Sequence, residues 1–418
     1  MLDRSIAPYS SSISSIQLPS LSSVSLTNGI KIHYLINPSL QVFRLEIIFS
    51  AGSYFGEKFG QSFFVSKNLN MGTSKKSAKE VAEEFENLGG LLAISQNLER
   101  LNITLHGLSA FFKEQVDNLL EIIADPTFPE DELKVQKNIS KQSLMVNLEK
   151  TSFEANRIFR SGLYGDHVFG KSLGFEDIDE IERNDLISFF EKNIRNSGFE
   201  VFISGNFTEA DIEYVSGQLK CFNIILRTKE VVTPGFFPKF KDRIDKEGNI
   251  QCSLRLGKRM INRKHPDFYK FMVTNTILGG YFGSRLMKNI REEKGLTYGI
   301  SSVLTPMGAD GIWNIGADVN KDNLDLAEIE IEKEIANLKE KGTNANELNL
   351  VKSYINGSIL NSMNTVFEAM DKHKALIFEG LPICFYDDLI DKILEVKEKD
   401  VLEIANKYFD DYSIVIVG

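Results

Sequence analysis

Residues 187–205, "ISFFEKNIRNSGFEVFISG", combine an amphipathic helix with a strand-like apolar run that stops at a glycine. Residues 401–418, "VLEIANKYFDDYSIVIVG", repeat this order and also stop at a glycine. Recurrence of one pattern at a separation of about 205 residues indicates an internal duplication. The chain is therefore predicted to consist of two halves with the same fold.

Three further segments recur in the same order. Residues 82–95, "AEEFENLGGLLAIS", and 286–301, "LMKNIREEKGLTYGIS", each predict a helix closed by glycine and followed by a strand. Alternating strands come next at 101–107 and 313–319, and a long amphipathic helix follows each of them. Ser77 and Glu80 form a capping box before the glycine-closed helix of the first half. Because strands also follow one another directly, an α+β fold with helices on a largely antiparallel sheet is predicted.

Composition limits the classes of function. The chain has 418 residues, enough for two cores, and its net charge of −10 argues against nucleic acid or an anionic membrane as the main partner. Three single cysteines without CxxC spacing are expected to be reduced and buried. No apolar run suits a signal peptide or a membrane span, so we expect a cytoplasmic location, although a truncated leader would allow the periplasm.

Residues 227–249 contain prolines, glycines and charges without a regular period. They are interpreted as an interdomain linker between a first domain, 1–226, and a second domain, 250–418. The serine-rich leader around residues 12–26 is interpreted as an extended arm.

Four quoted segments together resemble the M16 (pitrilysin-type) peptidase family in its short form. They are "LTNGIKIHYLINPS" (26–39), "IFSAGSYFGE" (48–57), "LYGDHVFGKSLGFEDI" (163–178) and "LGGYFGSRLMKNIREEKGLTYGIS" (278–301). The resemblance extends over nearly the whole chain and preserves the order of motifs. It implies two α+β domains, and two such chains enclosing a peptide-binding chamber.

In that family an H-x-x-E-H helix in the first half holds zinc, with the glutamate as general base. The matching segment here is "GQSFFVSKNLNMGTSKKS", residues 60–77. The resemblance places the two ligand histidines at Phe63 and Lys67, the base at Ser66, and the third ligand near Ser143. Phenylalanine has no lone pair for zinc, and a lysine ammonium repels a divalent cation. We therefore expect this half to bind no metal and no cofactor.

The second half preserves "REEKGLTY", residues 291–298. Arg291 is predicted near a helix end and Tyr298 on the next strand, with a glycine turn between them. In the related family a matching pair holds the substrate carbonyl and stabilises its oxyanion, a role that suits guanidinium and phenol donors. The residues alone also permit a structural role, with the arginine complementing a helix dipole and the tyrosine packing on the sheet.

The leading hypothesis is a non-catalytic subunit of a two-chain zinc peptidase. The partner would carry H-x-x-E-H and the zinc, and this chain would supply Arg291 and Tyr298 in trans to a peptide substrate. The alternative is a catalytically inactive peptide-binding or scaffold protein, as a homodimer or in a larger assembly. An independent peptidase with another chemistry is a third hypothesis, but no Ser/His/Asp or Cys/His arrangement is legible.

Overall fold

The computed structural model describes residues 17–195, 197–222, 224, 232, 235, 237–308 and 310–418. Within them the strands are β1 Ser22–Ser25, β2 Lys31–Ile36, β3 Val42–Phe49, β4 Leu91–Gln96, β5 Leu101–Leu108, β6 Phe199–Gly205, β7 Lys241–Ile244, β8 Gln251–Met260, β9 Thr297–Met307, β10 Asp310–Asn320 and β11 Ser413–Val417. The α-helices are α1 Gln61–Asn68, α2 Ala78–Asn87, α3 Phe112–Ala124, α4 Glu130–Glu149, α5 Thr151–Tyr164, α6 Phe175–Glu180, α7 Arg183–Phe190, α8 Glu209–Leu219, α9 Phe268–Asn275, α10 Leu324–Lys341, α11 Ala345–Asn361, α12 Val366–Glu379, α13 Phe385–Glu395 and α14 Glu398–Tyr408. Three π-helical segments cover Glu191–Arg195, Thr276–Gly280 and Met287–Glu293.

Two sheets with matching strand orders confirm the duplication. The first sheet has the order β1-β2-β6-β3-β5-β4, and the second has the order β7-β11-β8-β10-β9. Apart from the extra β1, each sheet has one parallel pair, β2 with β6 or β7 with β11, and is otherwise antiparallel. The predicted α+β class is therefore confirmed.

Local signals place the elements where the sequence predicts them. The hydroxyl of Ser77 accepts from the backbone N–H of Glu80, whose carboxylate accepts in return from the backbone N–H of Ser77, so the capping box starts α2. Gly89 has a φ of 65°, a conformation that stops the helix before β4. None of the described helices is both long and apolar enough to cross a membrane.

Each half lends one helix to the other half. Helix α5 belongs to the first half in sequence but packs on β8 and β11, and α12 of the second half packs on β2 and β6. Central strands are therefore buried on both faces, one against their own core and one against the exchanged helix. Phe202 of β6 meets Met370 of α12, and Val415 of β11 meets Phe159 of α5.

Buried ion pairs connect the first sheet to its exchanged helix. Arg44 on β3 donates to both carboxylate oxygens of Asp371 at 2.8 and 3.3 Å and to the carbonyl of Phe367 at 2.8 Å. Lys374 lies 2.6 Å from Glu46 and 2.7 Å from Asp371. Two cations and two carboxylates thus compensate one another beneath α12, where Arg44 and Glu46 are only 8% and 6% exposed.

Polar contacts also connect the second sheet to its exchanged helix, α5. Arg255 on β8 donates to Asn156 of α5 at 2.8 Å, and Ser253 lies 2.9 Å from the Thr151 hydroxyl. The close approach of α5 to Phe240, which directly precedes β7, also needs a glycine. A Cβ at Gly162 of α5 would lie 2.1 Å from the ring of Phe240. The exchange therefore fixes how the two halves sit relative to each other.

The structure bears on three expectations from the sequence: the linker, the arm and the cysteines. The segment 227–249 contains β7, which pairs in parallel with β11, so the second sheet begins inside the predicted linker; most of residues 225–236 lie outside the described residues. Residues 12–16 of the expected arm also lie outside them, and β1 pairs with β2 of the same chain. Cys252 is buried, but Cys221 and Cys384 are exposed, so the expectation of buried cysteines is wrong for those two.

Removing one charge from the buried network should destabilise the whole chain. Glu46→Gln leaves Arg44 and Lys374 facing a single carboxylate, and we expect the free energy of unfolding to fall by about 3 kcal/mol. The exposed pair Lys79–Glu83 provides the control: Glu83→Gln should change stability by less than about 0.5 kcal/mol. Urea denaturation measures both, and equal effects of the two variants would contradict the assigned role of the network.

Candidate functional site

Helix α1 presents the positions of the expected zinc motif. It begins after Gly60, whose φ of 101° turns the chain into the helix. Phe63 and Lys67 lie one turn apart, and the Lys67 ammonium lies 5.7 Å from the centre of the Phe63 ring, a cation–π contact. Ser66 is buried and its hydroxyl donates to the carbonyl of Phe63 at 2.7 Å, so this hydroxyl is already engaged within the helix.

A cleft of about 840 Å³ brings three of the four expected positions together. Phe63 and Lys67 enter it from α1 and Ser143 enters it from α4, while Ser66 is not part of its lining. The assignment of Ser143 was the least constrained by motif spacing, and the structure places this residue on the same cleft as the other two. Three of the four positions thus line one cleft, and none of them carries a metal ligand.

Zinc does not fit these residues. A zinc site needs imidazole, thiolate or carboxylate ligands, and the cleft lining contains none of these groups. Across the described part of the chain no group of three His, Cys, Asp or Glu side chains could hold a metal ion. The chemistry of α1 is therefore that of an aromatic ring and an ammonium group.

The basic residues of the cleft could not be predicted from the sequence. Arg157 and Arg160 lie one turn apart on α5, and Lys171 follows in the loop before α6. Their spacing in "NRIFR" (156–160) shows a shared helical face, but nothing local indicates that this face borders α1. Only the exchange of α5 between the halves reveals it.

Arg291 and Tyr298 are adjacent in the second half, as the sequence predicts. Arg291 lies in the π-helical segment Met287–Glu293, and its Nε donates to the backbone carbonyl of Tyr298 at 2.9 Å. Its guanidinium carbon lies 4.7 Å from the centre of the Phe282 ring. The Tyr298 side chain is 92% exposed. Among the described residues, none from the second half lines the cleft at α1.

A β-bulge orients Tyr298. Ala317 pairs with Ile300 and Val319 pairs with Thr297, so Tyr298 and Gly299 together oppose the single residue Asp318. The Thr297 hydroxyl lies 2.7 Å from the carbonyl of Asp318 and 2.9 Å from that of Gly299. Such bulges redirect a side chain away from the regular strand, here at the edge strand β9.

Glu330 of α10 anchors the segment that carries Arg291. Its Oε2 accepts from the Asn289 amide at 3.0 Å and lies 2.8 Å from the Lys294 ammonium, so it grips the segment on both sides of Arg291. The hydrogen bond from Lys294, then that from Asn289, lower the pKa of Glu330 from 4.5 to about 2. This carboxylate is thus held ionised beside the segment that carries Arg291.

The histidines serve local structure. His33 is buried, with Nε2 3.2 Å from Glu200 and its ring stacked on Phe202. The Nε2 of His373 lies 2.8 Å from the carbonyl of Pro19, and burial lowers the pKa of His373. The ring nitrogen Nδ1 of His167 accepts from the backbone of Phe169. These contacts favour a structural role for each of the three histidines.

Metal binding at the cleft should be absent from the natural chain and recoverable by substitution. Isothermal titration with zinc should give no stoichiometric binding to the natural chain. The combination Phe63→His, Lys67→His and Ser143→Glu should bind one zinc, because the three positions share the cleft. The variant without Ser143→Glu is the control and should bind more weakly. Tight zinc binding by the natural chain at these residues would overturn the assignment.

Stability around Arg291 should depend on pH through Glu330. The pKa of this group is lower in the folded chain than its ordinary value, so its contribution is complete above about pH 4.5 and is lost as pH falls towards about 2. Glu330→Gln should therefore lower the free energy of unfolding more at pH 7 than at pH 3. Glu332→Gln, on the exposed side of the same helix, should show little difference at either pH. A pH-independent loss in Glu330→Gln would refute this role.

Comparison with known proteins identifies the family of the chain. Residues 33–168 match the family model described as insulinase (peptidase family M16), and residues 180–355 match that of the peptidase M16 inactive domain. An uncharacterized zinc protease, YmxG, of Bacillus subtilis is 25% identical over 399 residues, covering 94% of this chain and 96% of that protein. A non-peptidase homolog YmxG of Helicobacter pylori is 24% identical, covering 90% of this chain and 88% of that protein.

Solved structures show the same architecture. A crystal structure described as a peptidase M16 inactive domain from Pseudomonas fluorescens has a TM-score of 0.88 and 25% identity, covering 96% of this chain and 98% of that one. A protease from Helicobacter pylori has a TM-score of 0.84 at 17% identity, which shows the fold alone, over 96% of this chain and all of that one. The two family models follow each other along the two halves and together cover more than half of the chain. The chain therefore belongs to the M16 peptidase family.

Proposed function

We propose that this chain is the non-catalytic subunit of a two-chain M16 peptidase and supplies Arg291 and Tyr298 to a partner's active site. The proposal rests on one observation: Arg291 and an exposed Tyr298 are both present, whereas α1 has lost every zinc ligand. A partner with an H-x-x-E-H helix would bring the zinc that activates water. This chain would bind the peptide and donate to its carbonyl oxygen.

The contacts of Arg291 suit this role. Its Nε is occupied by the carbonyl of Tyr298, which leaves the two terminal nitrogens to donate to a substrate. The Phe282 ring beneath the guanidinium restricts its motion. A donor held in place before the substrate arrives needs little reorganisation when negative charge develops on the carbonyl oxygen.

The exposure of Tyr298 supports action in trans. At 92% exposure the Tyr298 side chain is almost entirely open to solvent, and no hydrogen bond of its hydroxyl is seen among the described residues. Burial of so large an aromatic ring by a second chain would be favourable, and its hydroxyl would remain free to donate.

A catalytically inactive peptide-binding protein is the second candidate. The open cleft at α1 favours it, because a cavity of about 840 Å³ persists where no metal can be held. The Helicobacter pylori relative is named a non-peptidase homolog. This candidate predicts that Arg291 affects no hydrolysis.

Hydrolysis of a quenched fluorescent peptide separates the two candidates. With an H-x-x-E-H partner and zinc, the natural chain should support cleavage, and Arg291→Ala should lower kcat by about 10²–10³-fold. Lys288→Ala, an exposed cation in the same segment, is the matched control and should retain full activity. Unchanged cleavage with Arg291→Ala would favour the scaffold, and cleavage by this chain alone would contradict both candidates.

A further inference from the structure

The cleft at α1 has an unusual charge. Its lining contains four basic side chains and no aspartate or glutamate, although acidic residues outnumber basic ones by 58 to 48 in the whole chain. The four are Lys67, Arg157, Arg160 and Lys171. Low-dielectric walls concentrate the field of such a group inside a concave site. The cleft is therefore electropositive in a protein that is acidic as a whole.

None of the four cations has a carboxylate partner among the described residues. Arg44 and Arg285, by contrast, are each neutralised by an acid, Arg44 by Asp371 and Arg285 by Glu347. Lys67 instead meets the ring of Phe63. Four unneutralised cations in one cleft repel one another, and a bound anion would relieve that repulsion.

Arg160 gives the clearest sign of a missing partner. One terminal nitrogen donates to the carbonyl of Lys171 and, at 3.3 Å, towards the hydroxyl of Ser172. Its Nε is buried and has no hydrogen-bond partner. Buried donors without partners are rare in folded proteins and costly. Burial also lowers the pKa of this guanidinium, because desolvation disfavours its charged form.

The lining of the cleft favours an extended peptide. Apolar side chains share its lining, including Phe59, Leu98 and Phe153. Gln96, the last residue of β4, and Asn97 after it lie at one side of the cleft. β4 is the edge strand of the first sheet. β4 has the sequence "LLAISQ" and no charge or proline that would keep another strand from pairing with it. An extended chain along this edge would place alternate side chains towards the basic residues.

We propose that the cleft binds an extended peptide segment rich in acidic side chains, whose carboxylates pair with Arg157, Arg160, Lys67 and Lys171. Arginine side chains one turn apart on α5 can each form a bidentate pair with a carboxylate. The inference takes its ligand class, a peptide, from the proposed function and adds the charge that the peptide carries. The cations thus occupy the part of the fold in which a metal would otherwise meet the substrate.

Binding of labelled peptides to the full chain alone tests the inference. One fluorescein-labelled peptide carries glutamate at alternate positions, and its copy carries glutamine there. Fluorescence anisotropy should show at least about tenfold tighter binding of the glutamate peptide at low salt, with the difference shrinking at high salt. Equal affinity of the two peptides would overturn the proposal.

A charge-matched pair of variants locates the site. Arg157→Gln with Lys67→Gln should weaken binding of the glutamate peptide at least about tenfold. Lys134→Gln with Lys220→Gln removes the same charge from exposed positions outside the cleft and should leave binding unchanged. Both should keep the natural circular dichroism spectrum. Equal loss in the two double variants would show general electrostatics and overturn the assigned site.

Two further results are diagnostic. Displacement of the glutamate peptide by inorganic phosphate at similar concentration would replace the peptide with a small anion as ligand and overturn the proposal. Preference for the acidic peptide without cleavage in the two-chain mixture would support this inference and contradict the subunit role. Cleavage dependent on Arg291 without any preference for acidic peptides would do the reverse.

Discussion

The exchange of α5 and α12 between the two sheets is the constraint on which the rest of the structure depends. Each helix covers a sheet that belongs to the other half, and buried polar groups hold it there: Arg44 with Asp371 on one side, Arg255 with Asn156 on the other. Because neither half can bury its sheet alone, the orientation of the two halves is part of the fold. It separates the cleft at α1 from the Arg291–Tyr298 pair, so that one chain presents two distinct surfaces. α5 also contributes to the cleft, since Arg157 and Arg160 of this helix belong to its lining.

The two halves have diverged in opposite directions from one plan. In the first, the positions that the M16 family uses for zinc hold an aromatic ring, a bonded hydroxyl and an ammonium group, and α5 adds two guanidinium groups nearby. The site remains positive, but its charge is fixed by side chains instead of a metal. In the second half, the donor pair is supported by Phe282 beneath Arg291, a bulge at Tyr298 and Glu330 beneath the segment. This division is consistent with a chain that binds and positions a peptide while another chain cleaves it.

Much of the architecture could be predicted from sequence because it depends on local signals. The capping box at Ser77, the glycine after α2 and the repeated helix–strand endings at 187–205 and 401–418 specified the elements and the duplication. The partners of the helices could not be predicted, since periodicity shows which face of α5 or α12 is buried but not which sheet buries it. The basic cleft could not be predicted for the same reason, because it depends on which elements pack together. The pairing of β7, inside the segment 227–249, with β11 could not be predicted either. The bulge at Tyr298 was missed because strand register depends on the neighbouring strand β10.

The central claim is that Arg291 and Tyr298 act on a substrate held by another chain. The most direct test is a structure of the two-chain complex with an uncleavable peptide, measuring the distances from the Arg291 terminal nitrogens and the Tyr298 hydroxyl to the scissile carbonyl oxygen. The account predicts hydrogen bonds of roughly 2.7–3.1 Å from both groups, opposite the H-x-x-E-H helix of the partner. If the pair faces solvent or packs within the interface, more than roughly 5 Å from that oxygen and beyond any hydrogen bond, the account is contradicted.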